Sequence, residues 1–290
     1  MDYSLPEISL KDFCNMSESD IRGIFHQYTH TLGNSGYYIH IPRGGSVLGI
    51  SHLDYVSTGD TVPFGMSGNI VSTPRLDNRL GAWLIYSVFP KIGINCDVLF
   101  TTNEEIGMST AEFFESEISY NWIFSFDRGG QDVVMYDYYD SKSRKMLESL
   151  GFKVGYGSFS DIAFLDIGIK GFNFGNGIVG QHLPTCHVDL KNTQKMVELF
   201  KLFHAENESN KLSHSPNKSY HRGKFDDWQY AYNDWKSESY FWDDSDDDET
   251  WGEICESCRE FLEDDDDILS IDIFGYCLKC ADNFGMLRGA

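Results

Sequence analysis

Apolar positions between residues 17 and 205 fall into two alternating rhythms. Ile21, Ile24, Phe25 and Tyr28 recur at helical spacing and predict a helix over 17–32. Residues 192–203 set Met196, Leu199, Phe200 and Phe203 on one helical face, and 80–88, 110–114 and 142–150 also suit helices. By contrast, 47–51, 96–101 and 122–126 are short, continuous apolar runs, the length of strands buried on both faces. Strands alternating with helices predict an α/β fold, a three-layer sandwich around a mostly parallel mixed sheet.

Beyond residue 205 the pattern changes twice, which divides the chain into 1–205, 206–250 and 251–290. The middle stretch is polar, then acidic, with Trp228, Tyr230, Tyr232, Trp235, Tyr240, Phe241 and Trp242 interleaved, and it reads as a linker. In the last stretch Cys255-x-x-Cys258 and Cys277-x-x-Cys280 have the spacing of a four-thiolate zinc site. Such a closed tetrahedral site predicts a small C-terminal zinc ribbon holding one structural ion. A module this short has little core of its own, so the metal would hold it folded.

Charge sharpens that division. The chain carries a formal −22, yet residues 226–290 alone hold 20 acidic and 4 basic side chains. Acidity on that scale repels phosphate, so neither nucleic acid nor an anionic membrane is an expected partner. The ribbon is expected to meet a protein instead. No run of about eighteen apolar residues is present, and residues 1–4 do not begin a signal peptide. Cys14, Cys96 and Cys186 are scattered rather than paired, which fits reduced thiols in the cytoplasm.

The candidate chemistry gathers where predicted strands end. His52-Leu53-Asp54 closes the first apolar run. Asp77-Asn78-Arg79-Leu80-Gly81 precedes a helix, Glu104-Glu105-Ile106-Gly107 follows the second run, Asp127 ends the third, and Gln181-His182 lies in a late loop. Carboxyl ends of parallel strands are where open α/β sheets collect functional groups. Singly, each piece reads better as a cap, a satisfied loop residue or a helix-dipole partner. Together they form a donor set for two zinc ions about 3.5–4 Å apart, which need a shared carboxylate plus a His and a carboxylate on each ion. Asp77 suits the bridge, His52 and Asp127 one ion, Glu105 and His182 the other. Glu104 is then left as general base, and Asp54 as partner of the second His52 nitrogen.

This order of motifs resembles the di-zinc exopeptidases of the aminopeptidase Y and aminopeptidase S type, over residues 20–205. The resemblance implies a phosphorylase/hydrolase-like sandwich with those same ligand roles, and a cis peptide after the bridging Asp77. Relatives that insert a further domain do so after the first His or before the last. Here those gaps are 25 residues from His52 to Asp77 and 55 from Asp127 to His182, which favours a compact single-domain branch. Where relatives place a Glu after the last His, this chain has Cys186 and His187, so His187 is a rival to His182. Ser160-Asp161 reads as an N-cap, Arg128 as half of an ion pair, and Cys186 as a buried thiol.

The expected activity is that of a zinc aminopeptidase acting on peptides or amino-acid amides, with two co-catalytic ions and one structural ion. Two alternatives stand beside it. One is a di-zinc amidohydrolase or carboxypeptidase for another amide; the other is a binding or scaffold protein on a peptidase fold.

Overall fold

The computed structural model describes residues 5–56, 63–157, 159–165 and 167–214, and the backbone of two short strands at 253–254 and 261–262. The chain divides into two units, Met1–His221 and Arg222–Ala290. In the second, β13 (Glu253–Ile254) pairs antiparallel with β14 (Phe261–Leu262). Cys255, Cys258, Cys277 and Cys280, with most of the 206–250 linker, lie outside the described residues.

The first unit is built on an eight-stranded sheet. Its strands are β1 (Thr29–Thr31), β2 (Tyr37–Ile41), β3 (Leu48–His52), β6 (Asp97–Thr101), β7 (Ile123–Arg128), β8 (Asp132–Val134), β9 (Lys153–Val154) and β10 (Gly171–Gly175). They lie in the order β1-β2-β6-β3-β7-β10-β8-β9. The central four, β6-β3-β7-β10, are parallel, and antiparallel strands flank them on both sides. The expected α/β class and mostly parallel mixed sheet are thus present. Three of these central strands are the three apolar runs of the sequence.

Register assigns the two faces. Gly49 pairs with Val98 and Phe124, and Ser51 with Phe100, so these share one face; Ile50 pairs with Leu99 and Ser125 on the other. The first face carries the aromatic core. Trp122, Phe124, Phe126, Phe172 and Phe174 meet Phe89, Phe200 and Phe203 with ring centroids 4.7–6.1 Å apart. Phe200 and Phe203 come from α5 (Leu190–Asn207), whose predicted apolar stripe is the one buried; truncating Phe200 to Ala would cost about 3–5 kcal/mol. A Cβ at position 49 would lie 2.7 Å from Ile85 and 2.9 Å from the Phe124 ring, so only glycine allows that close packing. The other face carries His52, and three-residue to four-residue 3-10 turns cover it at Thr110–Phe113, Tyr136–Tyr138 and Asp161–Phe164.

Two features depart from the sequence pattern. The helix expected over 17–32 is interrupted. After α1 (Leu10–Asn15), α2 spans Glu18–Ile24, a 3-10 turn His26–Tyr28 follows, and β1 pairs with β2. The β-branched Thr29 and Thr31 gain more as strand positions at the sheet edge than as helix. Ser9 and Ser17 begin α1 and α2 with capping boxes to Asp12 and Asp20.

The second departure is an antiparallel four-stranded sheet, order β11-β12-β5-β4, built from β4 (Gly65–Ser67), β5 (Ile70–Ser72), β11 (Ile178–Val179) and β12 (His187–Asp189). Strands of two or three residues leave no alternation to read. This small sheet matters for the site, because it ties the turn after β5 to the loop between β11 and β12. Thr73 N–H donates to the Cys186 carbonyl at 3.1 Å.

Candidate metal centre

Each candidate side chain leaves a regular element where the backbone turns sharply. His52 is the last residue of β3, and Asp127 the fifth of the six in β7. After β6, Asn103 takes a left-handed conformation, which Asn tolerates better than most residues. The following 3-10 turn, Glu104–Ile106, swings two carboxylates back over the strand ends. Asp77 opens α3 (Leu76–Trp83), but it and Asn78 have non-helical dihedrals, and the peptide between them is cis, as the resemblance implied. Gly81 completes that turn: a Cβ there would lie 2.2 Å from Asn78 Oδ1 and 2.4 Å from the Phe126 carbonyl. This is why the motif spaces a glycine four residues after its Asp. His182 lies in the β11–β12 loop with φ 62°.

These turns converge. His52 Nε2 lies 3.3 Å from Asp77 Oδ1 and 3.3 Å from Asp127 Oδ1. His182 Nε2 lies 3.2 Å from Asp77 Oδ2 and 3.0 Å from Glu105 Oε2. Asp77 therefore presents one oxygen to each histidine. Ligand atoms of His52, Asp77 and Asp127 fall within 4.8 Å of one another, as do those of Asp77, Glu105 and His182. Glu104 lies between the two sets, its Oε2 3.8 Å from His52 Nε2, and it groups with His52 and Glu105. His187 joins no such group among the described residues; it sits in β12 with Nδ1 facing the Thr185 carbonyl.

Around this centre the partners are fixed. His52 Nδ1 is 3.1 Å from the Asp54 carbonyl and 3.6 Å from its carboxylate, which assigns the ring proton to Nδ1 and frees Nε2 for a ligand. Asp54 Oδ2 accepts the Glu105 N–H at 3.0 Å, so residue 54 braces both halves, His52 through its carbonyl and Glu105 through its carboxylate. Three partners have no local motif. Ser160 Oγ donates to Asp127 Oδ2 at 3.1 Å; Asn173 Oδ1 accepts the N–H groups of Asp127 and Arg128; and Gln181 Nε2 donates to Asp77 Oδ2 at 3.0 Å. Ser160 is thus no helix cap: the turn at Asp161–Phe164 starts without a side-chain cap, and its hydroxyl serves Asp127. Arg128 pairs through two nitrogens with Asp132, and Cys186 is a buried free thiol that burial raises to about 12. A thiol held neutral in this way is a poor nucleophile.

Electrostatics define what the centre can hold. Asp54, Asp77, Glu104, Glu105, Asp127 and Asp161 crowd two imidazoles. Burial first, then the Asp127, Asp161 and Asp77 carboxylates beside it, push Glu104 up to about 9. Asp161, buried and held by Thr101 and Ser109 hydroxyls, rises to about 7. Hydrogen bonds to Asp77 and Glu105 raise His182 to about 10. Burial would lower His52, yet the Asp127, Asp54 and Asp77 carboxylates outweigh it and raise that imidazole well above its usual value. Glu105 Oε1 and Asp54 Oδ1 are buried without a hydrogen-bond partner. Buried charge of one sign is costly unless a cation compensates it, and the Asp77, Glu105 and Asp127 oxygens with the two histidine Nε2 atoms make a nitrogen–oxygen donor set for divalent ions.

No curated protein sequence matches the chain. An aminopeptidase from the archaeon Desulfurococcus kamchatkensis shares the fold, at 11% identity over 68% of this chain and 93% of its own, with a TM-score of 0.50. The TET1 peptidase of Pyrococcus horikoshii, described as assembling into a tetrahedron or a large octahedral shell, has 14% identity over 67% of this chain and 97% of its own, at 0.47. The aminopeptidase PepT of Bacillus cereus has 11% identity over 65% and 94%, at 0.47. The sequence profile of the M42 glutamyl aminopeptidase family matches residues 45–151, the segment that carries His52, Asp54, Asp77, Glu104, Glu105 and Asp127. Over residues 45–151 the chain is thus similar to the M42 glutamyl aminopeptidases.

Proposed function

We propose that the chain is a metal-dependent aminopeptidase that removes N-terminal residues from peptides with two zinc ions. His52 and Asp127 would hold one ion, Glu105 and His182 the other, and Asp77 both. The observation that carries this reading is the division of the Asp77 carboxylate, one oxygen 3.3 Å from His52 and the other 3.2 Å from His182. Ions bound there would supply Lewis acidity, polarising the scissile carbonyl and acidifying the attacking water.

The chain's own residues do the rest. Asp54 holds His52 in the tautomer that leaves Nε2 free, and through the Glu105 N–H it keeps the two halves in register. Glu104, whose carboxylate lies 3.8 Å from His52 Nε2 beside the ligand sets, would accept the water's proton and pass it to the leaving amine. The finer placement, beside aminopeptidases Y and S, rests on the motif order and the short gaps. The reduced state of buried Cys14, Cys96 and Cys186 supports a cytoplasmic setting. No helix among the described residues is long and apolar enough to cross a membrane. The four C-terminal cysteines would take a third, structural zinc, and the acidic surroundings of that module favour a protein partner over nucleic acid.

Metal analysis paired with a substrate screen tests the reading. About three zincs per chain and release of amino acids from aminoacyl amides are expected. About one zinc, held by the cysteines alone, would overturn it. Turnover confined to acylated amino acids would move the activity to a different amide hydrolase.

A further inference from the structure

We propose that Gln181 is a positioning residue that locks the bridging carboxylate and the loop bearing His182 into one rigid unit; this rests on the two-ion reading above. Its Nε2 lies 3.0 Å from Asp77 Oδ2 and 3.4 Å from the Asp127 carbonyl oxygen. Both neighbours are acceptors only, so the amide orientation is forced: the NH2 group faces them and Oε1 faces away. On that far side Oε1 is wedged against Gly129, where a Cβ would come within 2.6 Å of it. One amide thus spans a ligand shared by both halves and the backbone of a ligand in the first half.

The backbone around Gln181 is shaped for this. Gly180 and His182, on either side of it, both have left-handed φ, 71° and 62°, and Leu183 N–H closes the turn onto the Gly180 carbonyl at 3.1 Å. His182 itself is 54% exposed in its side chain, with little packing to hold it. The tether to Asp77 comes from the residue next to it. Among the described residues Gln181 is the non-histidine side chain that donates to Asp77, so it sets the plane of the carboxylate and drains charge from Oδ2, the oxygen shared with His182. Outer hydrogen bonds of this kind typically set metal affinity by about 10–100-fold.

The test titrates the full-length, metal-stripped chain with cobalt(II) and follows its ligand-field spectrum. Ions bound by thiolates are recognised by intense sulfur-to-cobalt absorption and counted apart. Wild type should take up two ions on nitrogen and oxygen ligands; failure to do so would sink the two-ion reading itself. Gln181→Met, close in shape but without a donor, should weaken the ion on the Asp77–Glu105–His182 side about tenfold and alter its spectrum. Gly129→Ala keeps Gln181 yet pushes its amide aside, and should weaken the same ion. It also carries the test if Gln181→Met fails to fold. The double variant should lose no more than the worse single one, since both remove one interaction. Two cobalt affinities unchanged from wild type in either folded variant would overturn the role of Gln181, as would strictly additive losses in the double variant.

Discussion

The two halves of the centre are built differently. His52 and Asp127 stand on neighbouring parallel strands, and their side chains are 1% and 7% exposed. His182 is 54% exposed and stands on a loop, while its partner Glu105 sits in a 3-10 turn. The first half is thus fixed by the hydrogen-bond ladder of the sheet and by the aromatic core beneath it. The second depends on two turns brought together by a small sheet and a few side-chain bonds. A sheet-borne half should be preformed and bind its ion tightly; a loop-borne half should order around its ion and exchange it faster.

The largest expected effect falls between the halves. Glu104→Gln keeps the size of the side chain and removes its basicity, so both ions should stay bound while turnover falls about a thousandfold. Metal analysis and kinetics on one preparation decide it: retained activity would take the proton-transfer role away from Glu104, and loss of an ion would make it a ligand.

Next in size is the contrast between the histidines. His52→Ala leaves Asp77, Asp127 and Asp54 buried without their imidazole, and should remove the first ion and lower stability by about 3–5 kcal/mol in the metal-free chain. His182→Ala deletes an exposed side chain and should remove the second ion with little change in stability. Denaturant melts of the two metal-free variants compare them directly. Equal destabilisation would mean that the loop is as integral to the fold as the strand.

How much of this could be read from the sequence follows the same division. His52, Glu104, Glu105 and Asp127 were legible because each follows an apolar run that becomes a central parallel strand, where the ends must lie side by side. Asp77 was legible from its motif, and Gly81 explains the spacing. The partners Ser160, Asn173 and Gln181 were not, because each reaches its target across 33, 46 and 104 residues and no local pattern records that. The Gly-Gln-His sequence offered one faint signal, a glycine two residues before the ligand in a loop that has to turn sharply. Ser160 misled, since Ser-Asp before a turn looks like a cap until its hydroxyl is found on Asp127. Similarly, the stripe through Ile21, Ile24, Phe25 and Tyr28 continued past the point where the backbone turns into β1.

A third prediction uses protons to compare the halves. In the metal-free chain the Asp77 and Glu105 carboxylates push the His182 imidazole up to about 10, so near neutrality it carries a proton that an ion must displace. Lower pH favours the proton, so affinity for the second ion should rise about tenfold per pH unit through neutrality and flatten above the histidine's own value. Calorimetry in buffers of different ionisation enthalpy counts the protons released. His182→Ala should release about one fewer, and an unchanged count would show that His182 binds no ion.

The smallest effect tests whether the sheet alone fixes the first half. Ser160 Oγ holds the Asp127 oxygen that faces away from His52, and Asn173 Nδ2 lies 3.4 Å behind that hydroxyl. If the strand ends suffice, Ser160→Ala should leave the affinity of the first ion intact. The distances argue for a modest dependence instead. Removing a hydrogen bond to a carboxylate costs about 1.5–3 kcal/mol where it is buried, and Asn173, through the backbone N–H groups of Asp127 and Arg128, still fixes the main chain. Because that backbone anchor remains, we expect the lower end, about a tenfold loss at the first ion with the second untouched. A loss at both ions would mean that Asp127 and Asp77 move together, and the two halves would then be one unit rather than a strand-borne part and a loop-borne part.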